Sequence, residues 1–393
     1  MDGDLARFLD QTLLDLCAVS SPIGEEKALC DQLFARAFRW AEAWGAPPPR
    51  RTLNSFVVPL HDPARSGARP KIALVGHLDT VRTENGPARI EGDRLFGSGA
   101  ADMKSGLAIM IALAEHAEKL RESVDLTLIF YSREEGPFAE NELGPLLDAE
   151  PWLAAIDLAV CLEPSDNRLH LGCCGSLHAT VTFRGRTGHS ARPWEGDNAV
   201  VKAAPLLAAL AAQAPEETLL DGHIYRTCST VTQAKDGGRG RNVVPDSFSL
   251  NINHRFAPSY SVDDAVENLT KFLKKHASDG EVVFTDRSPG ALPSASHPLV
   301  QALIRAGVTD VAPKQAWTDV ARFSLLGVAA ATVDDWLAGH TPIPTNKWRE
   351  LESNLAREPA AATPNPWQTR LDPRIAQLIQ RAKVFDENAE RGA

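Results

Sequence analysis

Residues Leu126–Pro137 read "LTLIFYSREEGP", an apolar and aromatic run that stops at two adjacent glutamates, Glu134 and Glu135. The run has the composition and length of a buried strand. A glutamate pair beyond a strand is ordinarily a solvated loop. Held side by side, though, two like charges repel unless a cation sits between them or the backbone splays them apart. Two more short apolar runs resemble the first: "KIALVG" (71–76) and "IDLAVCL" (156–162). An amphipathic segment, "LAIMIALAEHAEKL" (107–120), lies between the first two strands of this set. Apolar strands alternating with helices predict an α/β layer, a mixed and mostly parallel sheet flanked by helices.

Each of these strands runs into the same kind of chemistry. The first leads into "GHLDTV", with His77 and Asp79; the second into Glu134 and Glu135; the third into "CLEPS", with Glu163. The loop before the amphipathic helix, "GSGAADMKSG", holds Asp102. Ligands bind beyond the carboxyl ends of strands in open α/β sheets, so these side chains are expected to converge. Taken singly each is ordinary: a histidine in HxD is more often structural, and an aspartate in a glycine-rich loop is more often a turn residue. Together, a histidine and several carboxylates in one crevice demand cations. Nitrogen and oxygen donors without thiolates suit Zn²⁺, Co²⁺ or Mn²⁺.

Composition sets the frame. The 393 residues favour two domains, and 44% hydrophobic with 23% charged residues is the balance of a globular protein. A formal charge of −10 without a basic cluster argues against a nucleic-acid partner. The start, "MDGDLARFLDQ", has no apolar leader, and "PLLAALAA" near Leu206 is too short to span a bilayer, so a cytoplasmic protein without membrane attachment is expected. Six cysteines without framework spacing read as reduced thiols. The neighbours Cys173 and Cys174 read as small buried apolar residues rather than ligands.

The pattern changes after Gly175. "SLHATVTF" (176–183) and "SFSLNINHRF" (247–256) alternate; 198–213 and 261–276 are helical, the latter with Ser261 as N-cap; "EVVFTD" (281–286) closes the segment. This reads as β-α-β-β-α-β, a ferredoxin-like α+β insertion over 176–290 within a catalytic domain built from 1–175 and 291–393. A linker from Glu358, a last helix near 373–385 and a C-terminal extension over 346–393 complete the reading.

The motifs "GHLDTV", "GSGAADMKSG", "REEG" and "LEPS" together resemble the dinuclear-zinc aminoacylase and exopeptidase family. "GHSARPWEGDNAV", "NVVPD", "NINHRFAP", "GALP" and "WTDVARF" narrow the resemblance to its succinyl-diaminopimelate desuccinylases of high-GC Gram-positive type. The resemblance covers about residues 5–340. It implies a zinc-exopeptidase-like fold and two Zn²⁺ ions, Co²⁺ being a possible substitute, about 3.5–4 Å apart. Asp102 would bridge them, His77 and Glu163 would complete one site, and Glu135 and His340 the other. Glu134 would be the general base and Asp79 would orient His77. The inserted domain would be a lid through which a homodimer forms, with His189 stabilising the oxyanion across the dimer. Asn242, Arg255 and Asp319 would grip a small N-acyl amino-acid substrate, with Arg192 a weaker candidate. The implied reaction is hydrolysis of N-succinyl-LL-2,6-diaminopimelate.

The chain departs from the family around "TVDDWLAGHTPIPTNKWRE": the usual GPG turn before the last histidine is missing, as is the acidic pair after it. Three readings therefore stand: the desuccinylase; a deacylase of another N-acyl amino acid, N-acetylornithine for example, or a dipeptidase; and a catalytically silent homologue used for binding or assembly. Trp336 would be a wall of a reshaped acyl pocket.

Overall fold

The computed structural model describes residues 3–333, apart from 62–68, 84–85, 93, 118–119, 121–122, 166–167, 239 and 306–309. Helices Gly3–Ala18 (α1) and Lys27–Trp44 (α2) precede strands Arg50–Thr52 (β1), Ser55–Leu60 (β2) and Lys71–His77 (β3). A hairpin of Arg89–Glu91 (β4) and Arg94–Phe96 (β5) leads through the Asp102 loop into helix Ser105–His116 (α3). Strand Asp125–Tyr131 (β6), helix Leu143–Ala149 (α4) and strands Leu158–Leu162 (β7) and Leu169–Leu171 (β8) come after it. Next are Gly175–Arg184 (β9), Ala199–Lys202 (α5), Ala204–Ala211 (α6), Glu216–Leu220 (β10), His223–Asp236 (β11), Ser247–Phe256 (β12), Val262–His276 (α7) and Gly280–Ser288 (β13). Pro298–Arg305 (α8), Val311–Pro313 (β14), Val320–Leu325 (α9) and Ala329–Val333 (β15) end the described chain. The linker and final helix expected after Glu358 lie outside the described residues.

Among the described residues two compact units result, one drawn from residues 3–171, 294–312 and 318–333, the other from 172–293 and 313–317. The first holds an eight-stranded mixed sheet in the order β1-β2-β6-β3-β7-β15-β8-β14. Its centre, β6-β3-β7-β15, is parallel, whereas β1-β2, β2-β6 and β15-β8 pair antiparallel. Every residue of β2, β6 and β7 is buried, which explains their unbroken apolar sequences: strands covered on both faces have no solvent side to alternate with. Leu13 and Leu16 of α1, Leu29, Leu33 and Trp40 of α2, and Leu107 and Met110 of α3 pack into the same core. Helix α3 stops at His116, short of the expected Leu120; the Ala117 N–H still reaches Leu113 O, but its φ of −110° and ψ of 37° are no longer helical.

The second unit is a five-stranded antiparallel sheet, β10-β11-β12-β9-β13. Strands β13-β9-β12-β11 with helices α5–α6 and α7 have the ferredoxin-like order, and β10 adds an edge. Leu177, Ala179, Val181 and Phe183 of β9 bury against Leu206 of α6 and Leu269 and Leu273 of α7. The expected helix over 198–213 is two helices. Pro205 has no N–H to reach back to Val201, and the chain breaks at Ala203. Helix α7 carries a reciprocal cap: Asp264 N–H donates to Ser261 Oγ at 3.1 Å, and Ser261 N–H donates to Asp264 Oδ2 at 3.0 Å.

His254 of β12 is 6% exposed, with Nδ1 2.8 Å from Ser229 Oγ, and burial lowers its pKa to about 4. The ordinary value is 6.5. A depressed folded pKa means the unfolded chain takes the proton first. The contribution is therefore complete above pH 6.5 and is lost as the pH falls toward 4. Between pH 7 and 4.5 the parent is expected to lose about 2–3 kcal/mol more stability than His254→Gln, read from denaturant midpoints of the two proteins. Parallel pH profiles would reject this.

Candidate metal centre

Because β6, β3 and β7 are parallel neighbours, their carboxyl ends lie along one edge of the first unit's sheet. His77 ends β3, Glu134 and Glu135 lie just past β6, and Glu163 just past β7. Asp102 comes to this edge on the loop before α3, where Asp102 and Met103 depart from helical geometry and their peptide is cis. The approach needs Gly76: a Cβ there would lie 2.5 Å from Met103 Cε. The Met103 sulfur in turn accepts the His77 N–H at 3.0 Å.

Donor atoms of His77, Asp102 and Glu135 lie within 4.8 Å of one another. His77 Nε2 is 3.1 Å from Asp102 Oδ1 and 3.7 Å from Glu163 Oε1. The imidazole is fully buried, while the Asp102 side chain is 50% exposed. Burial alone would lower the His77 pKa, yet Glu163, Asp102 and Asp79 together raise it well above the usual imidazole value. Burial, then Glu163, raises Glu134 far above the ordinary carboxylate range, against the opposing pull of His77. Burial and Asp102 raise Glu135. This is a cluster short of positive charge.

Asp79 touches more than His77. Its backbone carbonyl lies 2.9 Å from His77 Nδ1 and its Oδ1 3.5 Å away. The carboxylate itself accepts the Glu134 N–H on Oδ1 at 3.0 Å and the Glu135 N–H on Oδ2 at 2.9 Å. Burial opposes its charge, but His77 and these two N–H groups hold its pKa below the ordinary value. One buried carboxylate thus fixes the two successive peptide groups that carry the glutamates.

Asp319 departs from the substrate contact read from sequence. It is 1% exposed, and both oxygens are taken: Oδ2 accepts from Tyr131 OH at 2.8 Å and Asn141 Nδ2 at 2.9 Å, Oδ1 from Arg322 Nε at 2.8 Å. All three of these polar partners are protein groups, and the carboxylate they hold is buried. Lys104 escapes the sequence pattern altogether. It is fully buried, donates to Leu16 O and Val19 O at 3.1 and 2.8 Å, and burial lowers its pKa to about 8. Its one local signal is a charge placed between Asp102 and an apolar helix.

In the second unit, His189 is exposed and its Nδ1 accepts the Ala191 N–H at 3.1 Å, which leaves the proton of the neutral ring on Nε2. Asn242 is exposed, with its carbonyl accepting the Ser190 N–H at 2.9 Å. Arg255 is half-buried and donates from Nε to Asn253 Oδ1 at 2.9 Å. Arg192 is exposed, 3.7 Å from Glu195. His340 and Trp336 lie outside the described residues. Cys173 and Cys174 are fully buried and outside any disulfide.

Residues 171–281 match the peptidase dimerisation domain, and residues 58–170 match peptidase family M28. The succinyl-diaminopimelate desuccinylase of Corynebacterium glutamicum is 37% identical over 327 residues, spanning 82% of this chain and 86% of that protein. The chain belongs to the M20 peptidase family of the succinyl-diaminopimelate desuccinylases. It is accordingly a metallohydrolase. The fold is also that of an M20 family metallo-carboxypeptidase from Sulfolobus solfataricus, at TM-score 0.64 and 16% identity, covering 88% of this chain and 96% of that one. A dinuclear metal-binding M20 peptidase from Bacillus subtilis matches with TM-score 0.57 and 13% identity over 90% and 97% of the two chains. Among the described residues no helix is long and apolar enough to cross a membrane.

Proposed function

We propose that the chain hydrolyses the amide of N-succinyl-LL-2,6-diaminopimelate, releasing succinate and LL-2,6-diaminopimelate. The observation that carries the reading is the convergence of His77, Asp102 and Glu135, with Glu163 beside them, on the carboxyl edge of a parallel sheet. The donor set fits divalent cations: nitrogen and carboxylate donors, no thiolate, and a histidine drawn toward protonation by surplus negative charge. Two Zn²⁺ ions would be held by His77 and Glu163 on one side and by Glu135 with His340 on the other, with Asp102 between. When bound, such ions supply Lewis acidity toward the scissile carbonyl and make water more acidic.

The chain's own residues do the proton work. Glu134 takes a proton from the attacking water and delivers it to the leaving amine as the carbon–nitrogen bond breaks. Asp79 keeps the Glu134 carboxylate and the Glu135 ligand on their separate tasks by holding both peptide N–H groups. The second unit would pair two copies of the chain, and His189, with its proton on Nε2, would donate to the developing oxyanion. Arg255 and Asn242 remain the proposed substrate contacts. Six cysteines outside any disulfide suit a reducing cytoplasm.

Removing metal with a chelator should abolish amine release, and added Zn²⁺ should restore it. On a panel of acyl amino acids, kcat/KM for succinyl-diaminopimelate should exceed that for N-acetylornithine by about tenfold or more. Equal efficiencies would reject the substrate, and chelator-resistant turnover would reject the metal centre.

A further inference from the structure

Residues 132–142, "SREEGPFAENE", carry both glutamates but little structure of their own. Internally the loop makes one short turn, Phe138–Glu140, with a bond back to Pro137 O, a closing bond from Glu142 N–H to Ser132 O at 3.0 Å, and a half-exposed ion pair between Arg133 and Glu140 at 3.1 Å. Its placement must come from outside. Asp79 grips the middle. Its ends, Ser132 and Glu142, are tied to Asn54 and Ser55 at the turn from β1 into β2, and the residues between those ends and the glutamates, with Tyr131, are gripped from Asp319 and α9, nearly two hundred residues away.

Arg322 is 9% exposed and makes three contacts at once. Nε donates to Asp319 Oδ1 at 2.8 Å, Nη2 donates to Phe138 O at 2.6 Å, and the guanidinium carbon lies 3.9 Å from the Phe138 ring centroid. Asp319 then passes the grip to Tyr131, three residues before Glu134, and to Asn141. One ion pair therefore holds the chain on both sides of the glutamates.

We propose that Arg322, paired with Asp319, is a positioning residue for the hydrolysis, clamping the loop so that Glu134 and Glu135 stand where water and metal need them; this rests on the metal-centre reading above. Stability alone does not account for a buried ion pair, since apolar packing of the same volume often serves as well. What the guanidinium adds is direction: a rigid planar fork meets a carboxylate, a carbonyl and an aromatic face in one geometry. A lysine can supply the charge but not the three contacts.

The fit can be disturbed without removing either charge. A Cβ on Gly144, in α4, would lie 2.7 Å from Arg322 Nη1, so Gly144→Ala pushes the guanidinium aside. The test compares Arg322→Lys, Arg322→Ala and Gly144→Ala with the parent, by Zn²⁺ titration calorimetry on the metal-free protein, steady-state kinetics and thermal melting. Expected are a fall in kcat of about 10–100-fold for Arg322→Lys with KM little changed, and a roughly tenfold weakening of one Zn²⁺ site but not the other. Gly144→Ala should move both readouts the same way by less. Millimolar guanidinium, against sodium chloride at equal ionic strength, should partly restore Arg322→Ala. If Arg322→Ala does not fold, the other two variants decide. Parental kcat and parental Zn²⁺ affinities in folded Arg322→Lys and Gly144→Ala would overturn the clamp, as would losses that track melting temperature alone. A parent that binds no Zn²⁺ would instead overturn the metal centre, so the two failures are distinct.

Discussion

Glu134→Gln is expected to keep its metal and to turn substrate over about 10²–10⁴-fold more slowly than the parent. The substitution is nearly isosteric and leaves the backbone N–H that Asp79 holds at 3.0 Å. Glu134 stands outside the close group formed by His77, Asp102 and Glu135, so removing its charge should not empty the site. What it removes is the proton acceptor. An amide oxygen cannot replace it. Metal content by elemental analysis and amine release on the same sample would check both halves. Turnover near the parental rate would take the base role from Glu134.

The second large effect is expected at Asp79. Asp79→Asn puts an amide where a carboxylate now accepts two peptide N–H groups at 3.0 and 2.9 Å. One of its two positions must then present N–H to N–H. The side chain is fully buried, so water cannot relieve the conflict. The loop should shift, and with it Glu134 and Glu135. Substitution of groups that support a metal ligand typically costs about 10–100-fold in affinity or activity, and misplacing a reacting group by about 1 Å costs about 10²-fold. Asp79→Asn is therefore expected to lose both metal affinity and kcat by about 10²-fold, unlike Glu134→Gln, which should lose only turnover. Zn²⁺ titration of the two variants separates them. An Asp79→Asn protein with parental metal affinity would show that the loop is held well enough without this carboxylate.

In the second unit, two features have local signals that the hydrophobic pattern masks. Strands β10 and β11 escape that pattern, although Asp221-Gly222 sits between them with both residues at positive φ, 47° and 82°, as a tight hairpin turn requires. The helical pattern over 198–213 hides the break that Pro205 imposes. In both, a single turn or proline outweighs periodicity.

The sequence by itself determined the α/β layer and the order of chemistry along it. Burial on both faces demands unbroken apolar strands, and that pattern is local, as is the acid or histidine that ends each one at His77, Glu134 and Glu163. The cap of α7 at Ser261 and Asp264 is equally local. Only the tertiary structure decided what buried polar groups bind. Asp319 is read as a substrate contact only through the family resemblance, and its partners Tyr131 and Asn141 lie 188 and 178 residues away. Asp79 holds Glu134 and Glu135 across 55 and 56 residues. The physical reason is the difference in range. Hydrophobic periodicity is written within a few residues, whereas a buried donor or acceptor must be satisfied by whichever group packing brings within about 3 Å of it.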